Sequence, residues 1–89
     1  MDLLRWGLEI SHPAERDLKR LSPEIKHRIS IALNGLRETP WRGCIRKLEG
    51  MTAGYRLRVG DWRVIFQPDD ERRIVVIVAV LHRSKAYRN

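Results

Sequence analysis

Three arginines lie close together in the chain, in a pattern that could bind an anion. Arg56 and Arg58 precede a two-residue break at Gly60-Asp61, and Arg63 follows it. Apolar and polar residues alternate on both sides of the break, which is typical of a β-hairpin. Because successive side chains of a strand point to opposite faces, all three arginines share one face. Like charges opposite one another destabilise a sheet, so we expect this face to meet an anion.

The hairpin also predicts its own register. With two residues in the loop, the cross-strand pairs are Val59–Trp62, Arg58–Arg63, Leu57–Val64 and Arg56–Ile65. The face opposite the arginines then carries only apolar or aromatic side chains: Tyr55, Leu57, Val59, Trp62, Val64 and Phe66. We expect this second face to pack against the rest of the protein, and the arginine face to stay open.

Positive charge is concentrated in the half of the chain that contains the hairpin. The 89 residues carry a net charge of +7. Residues 1–41 hold seven basic and six acidic side chains, whereas residues 42–89 hold eleven basic and five acidic ones. A nucleic acid or an acidic partner is the natural counterpart of such a surface. A solvated basic surface that aids solubility is the alternative, and the clustering on one face favours the former.

Composition and cysteine content predict a cytoplasmic protein of one domain spanning residues 1–89. The chain is 43% apolar and 33% charged, which suits a folded domain with one core. Cys44 is the single cysteine, so no disulfide can form within the chain and a reducing compartment is expected. The first residues lack the pattern of a signal peptide, and no apolar run approaches the length of a membrane span.

The rest of the chain predicts the elements that must hold the hairpin. Alternation over residues 4–10 indicates a first strand. Ser11 or His12 can cap a helix, and Ser22-Pro23-Glu24 opens a second helix that ends before Thr39-Pro40. The two helices bury an apolar stripe made of Ala14, Leu18, Leu21, Ile25, Ile29, Ala32, Leu33 and Leu36. Five side chains of the first helix are expected to face water: Glu15, Arg16, Asp17, Lys19 and Arg20.

A last strand is predicted over residues 74–81, which are apolar on both faces and therefore central in the sheet. If the turn before it holds five residues, Arg63 lies opposite Ile77 and Arg83 points to the arginine face. A turn one residue shorter puts His82 there instead, and both registers stay open. The connector can begin pairing early at Arg46-Lys47-Leu48. The order β-α-α-β-β-β predicts an α+β fold: a small antiparallel sheet with two N-terminal helices on one face and a basic open face.

In this order and at this length, the motifs resemble the RelE/ParE superfamily of toxins from bacterial and archaeal toxin–antitoxin pairs. The resemblance covers almost the whole chain. The matching motifs are Ala14-x-x-Asp17-Leu18-x-x-Leu21, Lys47-Leu48-Glu49-Gly50-Met51, the hairpin over residues 55–66, Val80-Leu81-His82-Arg83 and Tyr87.

The resemblance implies one of three functions. Members of the RelE branch cleave mRNA in the ribosomal A site and so inhibit translation; the 2′-hydroxyl attacks the adjacent phosphate and leaves a 2′,3′-cyclic phosphate and a 5′-hydroxyl. The ParE branch poisons DNA gyrase and lacks the concentrated basic site. A non-catalytic RNA- or antitoxin-binding protein on the same scaffold is the third. The three arginines favour the endoribonuclease. The implied partners are mRNA, the ribosome and a cognate antitoxin, with which a heterotetramer can form.

The resemblance also assigns roles to individual residues. Arg56 and Arg58 match two basic residues of the family that are typically lysines, and Arg63, Arg83 and Tyr87 match an arginine, an arginine and a tyrosine. The resemblance thus predicts that these five residues are catalytic. The arginines at the two lysine positions matter, because lysine can lose a proton whereas arginine stays charged. A general-base role of those lysines therefore cannot transfer to this chain.

The proton acceptor must then be another group. Tyr87 is the first candidate, because nearby arginines favour a phenolate, and a packing role for this aromatic ring is the alternative. His82 is the second candidate, since imidazole titrates near neutrality, with an exposed strand-end residue as its alternative. Four further basic residues are predicted to contact RNA: Arg46, Lys47, Lys85 and Arg88. Neither a metal nor a cofactor is implied, because the sequence has no HExxH motif and no Cys/His pair.

Overall fold

The computed structural model describes residues 6–38, 45–47 and 54–86. Within them the elements are β1 (Gly7–Ile10), α1 (His12–Lys19), α2 (Pro23–Glu38), β2 (Ile45–Lys47), β3 (Tyr55–Val59), β4 (Trp62–Asp69), β5 (Ile74–His82) and α3 (Arg83–Ala86). The predicted α+β class is confirmed, and so is early pairing in the connector, as β2. None of the helices described is long and apolar enough to cross a membrane.

The sheet is mixed rather than wholly antiparallel. Its strand order is β1-β5-β4-β3-β2. β2, β3, β4 and β5 pair with one another in antiparallel fashion, whereas β1 runs parallel to β5 at the edge. The expectation of an antiparallel sheet is therefore wrong for β1. Alternation in the sequence predicts that a segment is a strand, but it carries no information about the direction in which an edge strand pairs.

Both helices pack on one face of the sheet, as predicted. The buried apolar side chains come from the two helices, the connection between them and the three central strands: Ala14, Leu21, Ile29, Leu33, Leu36, Leu57, Val64, Phe66, Val75, Ile77 and Val80. Tyr55 stacks on Phe66 with ring centroids 5.7 Å apart. The face that the hairpin turns toward the helices is thus the apolar one, which leaves its arginines on the other side.

Helix α1 supplies hydrogen bonds to β5 beyond the end of β1. The pairing of β1 with β5 stops at Ile77. Farther along β5, the Ser11 hydroxyl donates to the carbonyl of Val78 at 2.9 Å, and the amide of Val80 donates to Asp17 Oδ2 at 3.0 Å. Ser11 also caps α1 by accepting from an amide three residues on. Ser11 is thus the cap, and Asp17, expected to face water, instead binds the sheet.

The β3–β4 hairpin has the predicted register, and all four predicted pairs are present. Gly60 occupies the first loop position with φ 60°, a left-handed conformation that glycine adopts without steric cost. A glycine at the first loop position with positive φ suits the twist of a two-residue hairpin turn. The sequence of the loop therefore explains why β3 and β4 pair without slipping.

The β4–β5 register differs from both predictions. Arg63 lies opposite Leu81 rather than Ile77, and Trp62 lies opposite His82. An irregularity between Ile65 and Phe66 shifts the pairing by one residue. This shift turns Ile77 to the core face, where it is fully buried.

Candidate functional site

The arginine face is the side of the sheet that carries Arg56, Arg58 and Arg63. Arg58 and Arg63 are direct cross-strand partners, as predicted. The pairing of β2 with β3 brings Arg46 opposite Arg56 as well. Direct pairing of Arg58 with Arg63 brings like charges opposite one another, which is unfavourable in a sheet unless other groups compensate the charge. The strand register therefore brings together three of the predicted catalytic residues and one of the predicted RNA-binding residues.

The three side chains of the arginine face differ in exposure. Arg58 is exposed, Arg56 is half-buried, and Arg63 is only 4% exposed. Arg63 Nη1 donates to the backbone carbonyls of Gly60 and Trp62, both at 3.0 Å. The side chain is thus directed to the hairpin loop, where carbonyl oxygens compensate its charge. The expectation of an open face is wrong at Arg63 and holds at Arg58.

Arg83 lies at the tip of the hairpin, which we define as the Gly60-Asp61 loop. Its backbone amide donates to the carbonyl of Asp61 at 2.7 Å. Its guanidinium Nη1 is 4.0 Å from Asp61 Oδ1, and the two side chains are 61% and 69% exposed. An ion pair this exposed contributes little stability, so it leaves Arg83 able to exchange its partner for another anion. Arg63 and Arg83 therefore meet at the same loop from two different elements.

His82 lies on the opposite side of the sheet from the arginines. Its ring meets the Trp62 ring edge-on, with centroids 5.3 Å apart, and Trp62 packs against the core. His82 Nδ1 accepts from the backbone amide of Ser84 at 3.3 Å and lies 3.1 Å from the Ser84 hydroxyl. The structure thus does not bring His82 together with the arginine face.

Lys85 is also separated from the arginine face. This exposed residue of α3 lines a cleft of about 150 Å³ on the helix side of the sheet. The cleft is lined by Asp17, Arg20, Leu21, Trp62, Val80, Leu81, His82 and Lys85.

Lys47 is paired with Tyr55 in β2–β3. The predictions for Tyr87 and Arg88 lie outside the described residues. Within the described ranges, no three His, Cys, Asp or Glu side chains are grouped so that they could hold a metal ion.

One residue near the site was missed by sequence reasoning. Arg28, on the outer side of α2, has its guanidinium against Gly60 at the hairpin tip. The sequence offers no signal for this, because an exposed helical arginine has the same pattern whether or not a distant loop lies next to it. The contact depends on how α2 and the hairpin pack together.

Comparison with known proteins identifies the family. The family described as the ParE toxin of the type II toxin–antitoxin system parDE matches residues 8–87. The chain belongs to this toxin family. It is 33% identical over 84 residues to toxin RelG of Mycobacterium tuberculosis, a match that covers 93% of this chain and 97% of RelG. Membership of the RelE/ParE superfamily, expected from the motifs, is thus confirmed, and the protein is a toxin of a type II toxin–antitoxin system.

Solved structures of RelE/ParE toxins share the fold. The toxin in the RelBE2 toxin–antitoxin complex of Mycobacterium tuberculosis superposes with a TM-score of 0.81 at 30% identity, covering 93% of this chain and 97% of that one. The archaeal RelE–RelB complex from Pyrococcus horikoshii gives a TM-score of 0.78 at 23% identity, with coverage of 91% and 98%. The matched family is named for ParE and these relatives are named for RelE, so the names alone do not separate the two branches of the superfamily.

Proposed function

We propose that this toxin is a ribosome-dependent endoribonuclease that acts in the cytoplasm as a single domain. It cleaves mRNA in the ribosomal A site and thereby inhibits translation. The observation that carries the proposal is the arginine face, on which Arg56, Arg58 and Arg63 come together. A concentrated set of guanidinium groups suits RNA phosphates, because the planar fork of each group binds phosphate oxygens in pairs.

In this cleavage reaction the arginines are suited to binding the negative charge that develops on the phosphate, and other groups must transfer the protons. The 2′-oxygen attacks the adjacent phosphorus, the bond from phosphorus to the 5′-oxygen breaks, and a 2′,3′-cyclic phosphate and a 5′-hydroxyl remain. A base takes the proton of the 2′-hydroxyl, and an acid supplies one to the leaving 5′-oxygen. Negative charge grows on the phosphorane between these steps. Exposed Arg58 and half-buried Arg56 are suited to bind this negative charge. Buried Arg63 donates a hydrogen bond to the carbonyl of Gly60 and so holds the loop in place. Loss of one preorganised donor costs about 2.7–4 kcal/mol of transition-state stabilisation.

Tyr87 is our candidate for the proton acceptor. Arginine stays protonated, which excludes Arg56, Arg58 and Arg63 as bases. His82 faces Trp62 on the other side of the sheet, and its Nδ1 is already hydrogen-bonded to Ser84. If neither side chain takes the proton, groups of the RNA or the ribosome carry it, and the protein contributes positioning and charge alone.

A cognate antitoxin is the proposed inhibitor. The related toxins from Mycobacterium tuberculosis and Pyrococcus horikoshii were solved as toxin–antitoxin complexes. For this toxin we expect the antitoxin to cover the arginine face or to displace the C-terminal segment. We propose a heterotetramer as the assembly that the toxin forms with this antitoxin.

Inhibition of DNA gyrase is the second candidate function. The observation that favours it is the match to the ParE family over residues 8–87. A gyrase inhibitor has no need of exposed arginines that bind RNA phosphate, so the two functions make different demands on Arg58. Substitution of this residue therefore separates them.

The proposed function is tested with purified toxin and ribosomes translating a defined mRNA. Cleavage should give fragments with 2′,3′-cyclic phosphate and 5′-hydroxyl ends. Arg58→Ala should lower the single-turnover rate about 100- to 1000-fold, as expected for loss of a transition-state donor. Arg16→Ala is the matched control, because it removes another exposed arginine, this one from α1. Intact mRNA, together with trapped gyrase–DNA complexes in a parallel assay, would replace the endoribonuclease with the gyrase inhibitor.

A further inference from the structure

Arg28 joins the helical layer to the tip of the hairpin. A Cβ placed on Gly60 would lie 3.4 Å from Arg28 Nη2, 3.8 Å from Cζ and 3.9 Å from Nη1. Three atoms of the guanidinium approach the same glycine, so the group lies over the loop backbone. Glycine at this position permits the positive φ of 60°, and the distances to the guanidinium atoms are those of ordinary van der Waals contact.

The hairpin tip gathers more positive than negative charge. Guanidinium groups reach the loop from Arg28 on α2, Arg63 on β4 and Arg83 on α3, and the loop itself contributes one carboxylate, that of Asp61. Arg63 is directed inward to the carbonyl of Gly60. Arg28 and Arg83 are exposed, so they present their positive charge to solvent, Arg28 next to Gly60 and Arg83 next to Asp61. No ion pair of Arg28 occurs among the residues that the structure describes.

We propose that Arg28, beside the predicted catalytic Arg83, adds a second phosphate contact at the hairpin tip, which holds the sugar-phosphate backbone of RNA beside the cleaved bond. The proposal deepens the proposed function and rests on it for the identity of the ligand. Gly60 is two residues from Arg58 along the chain, about 7 Å at the rise of a strand. An RNA strand that bends around the hairpin tip can therefore contact Arg58 on the arginine face and Arg28 on the helix side. Contacts to phosphates carry no sequence information, so this site adds affinity without sequence preference.

Salt dependence of RNA binding measures this site independently of cleavage. The probe is a short fluorescent single-stranded RNA, titrated with toxin at several salt concentrations without ribosomes. The logarithm of the binding constant falls as the logarithm of the salt concentration rises. For a single strand, each phosphate that the protein no longer neutralises makes this slope less steep by about 0.7. For Arg28→Ala, the ratio of its Kd to that of the wild type should therefore shrink about 2.6-fold between 50 and 200 mM salt. Arg83→Ala should have a similar effect, and the double variant about twice the change in slope.

Control variants separate charge from packing. Lys26→Ala removes an exposed positive charge from the same helix, two residues away and on a different side; it should leave the slope close to that of the wild type. Arg28→Lys should retain most of the slope. Arg28→Gln keeps a long polar side chain over Gly60 without the charge, so it should show the same reduction in slope as Arg28→Ala even if the latter is unstable.

Three results would overturn the second site. The first is an equal slope change for Arg28→Gln and Lys26→Ala, because only general charge would then matter. The second is a lower melting temperature for Arg28→Ala with an unchanged salt slope in Arg28→Ala and Arg28→Gln, which indicates packing alone. The third is unchanged RNA binding together with weaker binding of an acidic antitoxin, which would make the tip a protein contact. Loss of cleavage with an intact Arg28-dependent slope would instead refute the endoribonuclease and leave the RNA-binding site standing.

Discussion

Removal of the Asp17 carboxylate should destabilise the fold, because this side chain accepts a hydrogen bond from a buried strand amide. Val80 is 3% exposed, and its N–H donates to Asp17 Oδ2 at 3.0 Å. The amide lies beyond Ile77, the last residue of β5 that pairs with β1. In Asp17→Ala no side-chain oxygen replaces the acceptor. A buried donor left without a partner costs about 1–3 kcal/mol of unfolding free energy.

A conservative variant gives the expected order of stability. Asp17→Asn keeps a side-chain oxygen but loses the charge, and hydrogen bonds to charged groups are worth about 1.5–3 kcal/mol against about 0.5–1.5 for neutral ones. Asp17→Asn should therefore lose about 1 kcal/mol and Asp17→Ala about 2. In a domain of this size, 2 kcal/mol lowers the melting temperature by roughly 8–16 °C. Thermal and urea unfolding followed by circular dichroism measure both quantities.

Glu15→Ala is the control for the Asp17 series. Glu15 is an exposed carboxylate on the same helix, so its removal should change stability by only about 0.5 kcal/mol. If Asp17→Ala is no less stable than Glu15→Ala, the amide of Val80 finds another acceptor. The inference that α1 completes the hydrogen bonding of β5 would then be wrong.

Three further predictions concern the loop, an ion pair and the proton acceptor. Gly60→Ala should cost about 1–2 kcal/mol in urea unfolding, because φ is positive there, and wild-type stability would contradict the assigned turn. The side-chain hydrogen bond from Arg72 lowers the pKa of Asp69; this stabilisation is complete above the unfolded-state pKa and is lost as pH falls through the folded-state pKa. Arg72→Ala should raise the Asp69 pKa in an NMR titration and weaken the acid dependence of stability, and an unchanged titration would refute the pairing. In single-turnover cleavage across pH, Tyr87→Phe should lose far more rate than His82→Gln, and the reverse order would assign the base to His82.

The hairpin could be predicted from the sequence because its pattern is strict. Alternation on both sides of Gly60-Asp61 admits one register, since a slip of one residue would bury arginines and expose the apolar face. The β4–β5 register could not be predicted in the same way. Residues 74–81 are apolar on both faces, so alternation does not distinguish one register from another. The irregularity after Ile65 shifts the pairing and has no signal in the sequence.

The site was predictable in composition but less so in geometry. Alternation places Arg58 and Arg63 on one face, yet it does not show that Arg63 turns back to the loop carbonyls and is buried. It likewise gives no sign that Arg28 approaches Gly60 from α2. Both features depend on how side chains and layers pack in three dimensions, which a pattern with a period of two residues cannot encode.

Mapping the 5′ ends of cellular mRNA after brief induction of the toxin without its antitoxin tests the central claim most directly. Incorporation of labelled amino acids and of thymidine is followed in the same cultures. An endoribonuclease acting in the A site predicts new 5′ ends that are in frame and biased toward particular codons, with amino-acid incorporation lost first. Intact mRNA, with an early and selective loss of thymidine incorporation, would contradict the account and indicate a gyrase inhibitor.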